Sequence, residues 1–141
     1  MKTAFTLGFL IMFAFLRLGN ALEEGVTGSA YAMQVGPINT EKDRFVAVAS
    51  WYGEAFHQRT MANGELFDMH NPEIAAHKTL PFGTTLLVRN LKNNKRLVVE
   101  VKDRGPFIKG RALDLSKEGA RRLGYIHEGL APLEVKVLSL P

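Results

Sequence analysis

Val101-Lys102-Asp103-Arg104-Gly105-Pro106-Phe107-Ile108-Lys109-Gly110-Arg111-Ala112-Leu113-Asp114-Leu115-Ser116 is the stretch on which the fold turns. An apolar run ending at Val101 delivers Asp103 to a Gly-Pro turn, and a second short apolar run delivers Asp114. Two carboxylates at the ends of two strands, joined by a tight loop, form a polar site on a β scaffold. Two readings stay open from these residues alone. The carboxylates are a functional pair, or Asp103 pairs with Arg104 or Arg111 while Asp114 caps the helix that follows.

Working outward, residues 84–89 and 96–102 read as two strands joined by a hairpin loop at 91–95. Residues 111–115 form a short strand. Ser116 is a good N-cap for a helix over 117–123, and Gly124 is its stop. Ala120, Leu123 and the stem of Arg121 would face the core. Pro132 admits a last strand over 133–138. Upstream, residues 45–51 alternate large and small apolar side chains and predict a strand with a buried face, ended by Tyr52-Gly53. Residues 54–70 predict a long polar loop, with Asn63, Gly64 and the following Asn71 as turn formers. It holds Phe56, His57, Glu65, Phe67 and Asp68, and its aromatics argue for order. Residues 72–77 predict one helical turn and 80–83 a reverse turn. Five or six short strands with one or two short helices make a mainly β protein, a small barrel rather than a βαβ sheet.

At 141 residues the chain suits one domain with a real core, and no internal repeat or low-complexity tract stands out. It has no cysteine, which excludes a disulfide scaffold, a zinc–thiolate site and a cysteine nucleophile. The amino-terminal residues resemble a signal peptide. Lys2 supplies the positive start, and residues 4–16 are apolar except for Thr6. That run is short of the roughly 20 residues a membrane span needs. Gly19-Asn20-Ala21 offers a cleavage site, with Ala30-Tyr31-Ala32 a more distant second and an uncleaved anchor the alternative. The expected organisation is a signal peptide over 1–21, a flexible lead-in over 22–44 and a barrel over 45–139. Removing residues 1–21 takes away Lys2, Arg17 and no acid, which lowers the formal charge from +4 to +2. That dispersed charge gives no argument for nucleic acid.

Several motifs in order carry a resemblance. They are Ala49-Ser50-Trp51-Tyr52-Gly53; Ala62-Asn63-Gly64-Glu65 with Phe67-Asp68; Ala75-Ala76-His77-Lys78-Thr79-Leu80-Pro81-Phe82-Gly83-Thr84; Asp103-Arg104-Gly105-Pro106-Phe107; and Arg111, Asp114-Leu115-Ser116 and Leu123-Gly124. Together they resemble the rare lipoprotein A family of septal-ring lytic transglycosylases, over about residues 46–138. The resemblance implies a six-stranded double-psi β-barrel. It also implies endolytic action on peptidoglycan glycan strands, at the bond between N-acetylmuramic acid and N-acetylglucosamine, with 1,6-anhydro products. The family residues proposed for catalysis fall on Glu65, His77 and Asp103. Asp114-Leu115-Ser116 also resembles the Asp-centred motif of plant expansins and related barrel endoglucanases. The chain departs from the family at Met61 and Ile74, where threonine is common. Without a cysteine it lacks the acylated lipoprotein anchor, and septal targeting by a C-terminal glycan-binding repeat domain is not expected.

The chemistry needs a carboxyl group that is protonated when substrate binds and can take the proton back. Partial burial, or a second carboxylate nearby, raises such a group from roughly 4 toward 6. The expected roles are Asp103 as acid/base, Glu65 as the carboxylate that keeps it protonated, and His77 as an orienting group. Asp68, Asp114, Tyr52, Phe56 and Arg104 complete the substrate-binding set. His57, His70 and His127 receive no role, and neither a metal nor a cofactor is expected. The expected setting is periplasmic or secreted: a monomer with no membrane anchor after cleavage. A hydrolase using the same carboxylates, and a non-catalytic expansin-like wall-loosening module, are the competing functions.

Overall fold

The computed structural model describes residues 43–141. The expected signal peptide and all but the last two residues of the expected lead-in lie outside the described residues. Six strands follow in chain order: β1 Arg44–Tyr52, β2 Ile74–His77, β3 Thr85–Asn90, β4 Arg96–Asp103, β5 Leu113–Ser116 and β6 Ala131–Ser139. A 3-10 turn lies at Glu54–Phe56, and one helix, α1, spans Lys117–Leu123. Among the described residues no helix is long and apolar enough to cross a membrane.

The strands close into a ring in the order β1-β5-β2-β4-β3-β6, with β6 pairing back to β1. Two pairs are parallel, β1 with β5 and β2 with β4, and the rest are antiparallel. This is the double-psi β-barrel. The ring leaves no open edge, which disposes of the unpaired backbone groups that short strands would otherwise expose. Strand alternation fills the inside: Ala49, Leu86, Val88, Val101, Leu113, Leu115, Leu133 and Val135 are fully buried.

A second cluster forms outside the ring. Met61, Phe67 and Ile74 are buried together, with Tyr52 and Met69 packed on them. It exists because residues 54–70 fold back on themselves. Gln58 N–H donates to Phe67 O at 2.8 Å, Phe67 N–H to Arg59 O at 2.8 Å and Met61 N–H to Glu65 O at 2.7 Å. The loop is a short hairpin with an apolar underside, so its aromatics do order it.

Two local expectations change. Residues 72–77 hold a strand, not a helical turn: the helix preference of Ala75 and Ala76 yields to β2 pairing with β4 and β5 on its two sides. Arg121 lies on the surface paired with Glu118, and Gly119 takes the buried position beside Ala120 and Leu123. The helix is otherwise as its end signals predict. Ser116 Oγ accepts from Gly119 N–H at 3.1 Å, and Gly124, at φ 75°, closes the last turn. Since Ser116 is fully buried, no water replaces its hydroxyl. Ser116→Ala is expected to cost about 1 kcal/mol, a fall in melting temperature of about 4–8 °C. An unchanged thermal melt would contradict the capping role.

Candidate active site

Four neighbouring strands place one residue each in a row: Ser50 on β1, Asp114 on β5, Ala76 on β2 and Asp103 on β4. Ala49, Leu113, Leu115 and Ala75, which flank the first three in sequence, point into the core. Alternation therefore turns Ser50, Asp114 and Ala76 outward. Strict alternation along β4 would send Asp103 inward with Val99 and Val101. A register shift prevents this: Ala75 faces Val101, yet Ala76 faces Asp103, so β4 carries an extra residue there. Such a bulge re-aims the side chain that follows it. The two aspartates flank Ala76, their Cα atoms two strand spacings apart, about 9.5 Å.

The aspartates sit in different surroundings. Asp114 is half-buried, and its Oδ1 accepts from the Ser50 hydroxyl. Burial raises its carboxyl above the ordinary value, the Ser50 hydrogen bond and Arg111 pull against this, and the charge of Asp103 adds to the rise. Asp103 Oδ1 accepts two backbone N–H groups, from Ala62 at 2.9 Å and Arg104 at 2.8 Å. The first ties the hairpin tip to the site. Gly105, at φ 126°, turns the chain away immediately afterwards, a conformation that favours glycine. Asp114 does not cap the helix, a role taken by Ser116. Among the described residues neither aspartate forms a close ion pair with Arg104 or Arg111.

Tyr52, two residues beyond Ser50 on the same face, stacks on Phe67 with ring centroids 4.1 Å apart and meets Phe56 edge-on. Its hydroxyl is buried and has no hydrogen-bond partner among the described residues. Burial raises its pKa, and the charges of Asp103 and Asp114 raise it further. A buried, unpaired donor beside two carboxylates is a costly feature for a fold to carry without use.

The remaining expected residues spread around this centre. Glu65 is 56% exposed on the hairpin, and its carboxylate bonds to Lys102 Nζ at 2.9 Å. That bond, with Asn63, holds its carboxyl below the usual range. Its charge is thus answered by Lys102. His77 follows Ala76 and turns to the other face, edge-on to Phe45. Its Nδ1 accepts from Thr79 N–H at 3.2 Å and Leu80 N–H at 3.0 Å. Burial, then Arg104 and Lys78, lower its pKa, and the two N–H bonds accepted at Nδ1 leave Nε2 as the nitrogen that donates. The Arg104 guanidinium lies 3.7 Å over the Phe82 ring, and its Nη1 donates to His77 O and Leu80 O. His77 and Arg104 together hold the turn after β2. Asp68 lies by His57 rather than by the aspartates, Nδ1 to Oδ1 at 3.8 Å. Phe56 is about half exposed, and Phe107 is 77% exposed.

A family model described as lytic transglycolase matches residues 44–135, the barrel from β1 into β6. The chain belongs to the lytic transglycolase family. One relative in the family, the probable endolytic peptidoglycan transglycosylase RlpA of Aquifex aeolicus (strain VF5), is 44% identical over 124 residues. The match covers 86% of this chain and 54% of that one. The endolytic peptidoglycan transglycosylase RlpA of Pseudomonas aeruginosa (strain UCBPP-PA14) is 47% identical over 93 residues, covering 66% of this chain and 27% of that one. This chain therefore spans about half the length of the first relative and about a quarter of the second. Among solved structures, Streptomyces papain inhibitor superposes with a TM-score of 0.56 at 19% identity, covering 73% of this chain and 98% of that one. An apo-expansin of Clavibacter michiganensis superposes at 0.54 and 23%, covering 70% and 52%. At those identities the likeness is one of fold.

This lytic transglycolase barrel also uses residues to which its sequence assigned no role. Ser50 and Ala76 complete the row. Tyr125, buried just after the helix stop, donates its hydroxyl to Ser50 O at 3.1 Å and holds that part of β1 from inside. The available signal was the two-residue spacing of Ser50 and Tyr52, which puts both on the face opposite Ala49. The raised Asp114 pKa has a consequence for stability. Ionising this carboxyl works against folding, so its contribution is fully present below about pH 4 and lost as pH rises through the raised value. Asp114→Asn should flatten that limb of the stability–pH profile measured by denaturant melts. Identical profiles would rule out the burial effect.

Proposed function

We propose that this barrel is an endolytic peptidoglycan transglycosylase, cutting between N-acetylmuramic acid and N-acetylglucosamine without water. The observation that carries this reading is the pair of unlike carboxyls flanking Ala76, with the unpaired Tyr52 hydroxyl beside both. The family relationship supports the substrate class. Two carboxyls in contrasting environments are the usual basis for dividing acid from charge-stabilising work.

The division of labour follows from those environments. Sequence alone favoured Asp103 as the acid, kept protonated by Glu65. Glu65 is instead neutralised by Lys102, and Asp114 is the carboxyl raised by burial and by its neighbour's charge. In this reading Asp114 gives its proton to the leaving glycosidic oxygen as the C1–O bond breaks. Asp103 faces the positive charge that develops on the sugar ring. The C6 hydroxyl of the muramyl sugar then closes on C1, and its proton returns to Asp114. The Tyr52 hydroxyl donates to a sugar oxygen, Phe56 offers an apolar face to the glycan, and Glu65, His77 and Arg104 hold the hairpin and turn that frame the site.

Products released from purified sacculi, read by mass spectrometry, test the proposal. The wild type should yield 1,6-anhydro ends. Asp114→Asn should fold and lose roughly two to four orders of magnitude in rate. Asp103→Asn removes the charge that helps raise Asp114, so its activity should be lower and should fall off at a lower pH as alkali is added. Tyr52→Phe should melt no lower than wild type, since it deletes a buried unpaired hydroxyl, yet release less product. Near wild-type release by folded Asp114→Asn would sink the assignment. Reducing ends would mean a hydrolase, and binding without soluble products would mean the expansin-like alternative.

We also infer that the chain acts outside the cytoplasm after cleavage following Ala21. The apolar run over 4–16 and the small residues Gly19 and Ala21 ahead of the cut support this. The intact mass of the exported protein checks it: a mass retaining residues 1–21 would overturn the cleavage.

A further inference from the structure

The geometry points to a second site away from the aspartates: a transition-metal clamp formed by His57, Asp68 and His70. One donor atom from each of the three lies within 4.8 Å of the others. In a tetrahedral zinc site, with bonds of about 2.0–2.1 Å, donors stand about 3.4 Å apart. The approach still needed is a small rotation of side chains that are at least partly exposed.

The fold brings these residues together without help from sequence spacing. His57 directly follows the 3-10 turn at Glu54–Phe56 and precedes the outgoing arm of the hairpin. Asp68 and His70 follow the returning arm. Backbone pairing of Gln58 with Phe67 therefore sets His57 opposite Asp68 at the hairpin base. His57 Nδ1 stands 3.8 Å from Asp68 Oδ1 and accepts from Met69 N–H at 3.2 Å, so a metal bound at this nitrogen takes the place of that hydrogen bond. Asp68 Oδ1 accepts from His70 N–H at 2.9 Å, which bends the chain and carries the second imidazole back. The two rings meet edge to face at 5.5 Å.

Two imidazoles and one carboxylate are a donor set for zinc and its first-row neighbours, not for calcium or magnesium, which prefer all-oxygen ligation. Three protein donors leave a fourth position for water. The metal's work here is mechanical. It joins the two ends of the hairpin whose tip delivers Ala62 N–H to Asp103 and Glu65 to Lys102. Holding the base limits the sampling of the tip, and with it the hydrogen bond that fixes Asp103. The inference stands on the cluster itself and does not rest on the proposed activity.

The test titrates Zn2+ into the purified protein while NMR follows the imidazole resonances of its four histidines. Those of His57 and His70 should move and saturate at one equivalent, with His77 and His127 unmoved. His70→Ala, and separately Asp68→Asn, should each weaken binding by at least about tenfold. At the same zinc concentration the melting temperature should rise more for the wild type than for these variants. The wild-type titration needs no variant to fold. The clamp is overturned if zinc moves none of the histidines or all four alike, or if both folded variants bind zinc as tightly as the wild type. His57, Asp68 and His70 would then be neighbours at a hairpin base and nothing more.

Discussion

β2, only four residues long, must be paired on both sides, and the polar geometry of the barrel depends on that. Its partners, β4 and β5, carry the two aspartates, so the spacing between the carboxyls is set by backbone hydrogen bonds rather than by side-chain choice. The same constraint explains the alanines. Ala75 faces a filled barrel interior, where extra methylenes would force strain. Ala76 separates Asp103 from Asp114, and a longer side chain would stand between them. The bulge on β4 completes the arrangement, since without it Asp103 would face the apolar core.

Given that row, local physics separates the aspartates. Asp114 lies between two core leucines, half out of water, and carries the desolvation penalty that raises a carboxyl above its ordinary value. Asp103 is held by main-chain donors from two different segments. The Tyr52 hydroxyl adds a further cost with no offset inside the described fold. Folds that break their own rules of polar satisfaction tend to do so where they act on something else. Here the departures coincide at one place on the barrel surface.

Much of this was legible in the sequence, and the rest was hidden for definite reasons. The helix announces itself through Ser116 and Gly124, because capping is local chemistry. The β3–β4 hairpin is equally local. β2 was not legible: Ala75-Ala76 has no period of its own, and its state is decided by partners far along the chain. The motifs that mark the family name Glu65, His77 and Asp103, but they cannot say which carboxyl is desolvated or that Lys102 answers Glu65. That Asp114 is the desolvated member of the pair could have been suspected from Leu113 and Leu115 on either side. His57 and His70, thirteen residues apart in the chain, could not, since only the fold of the intervening hairpin makes them neighbours.

The closed ring also governs how the chain can come to be. Among the described residues β1 is the first strand made, yet it pairs only with β5 and β6; Ser50 meets Asp114 across 64 residues of sequence. Contacts of that separation form slowly, because a long loop must close before any of them is rewarded. Until β6 emerges, both β1 and β3 present bare edges able to recruit strands from other molecules. The last strand is thus the keystone of the ring: a nascent chain halted before it holds every residue of the candidate site and none of the closure that protects them.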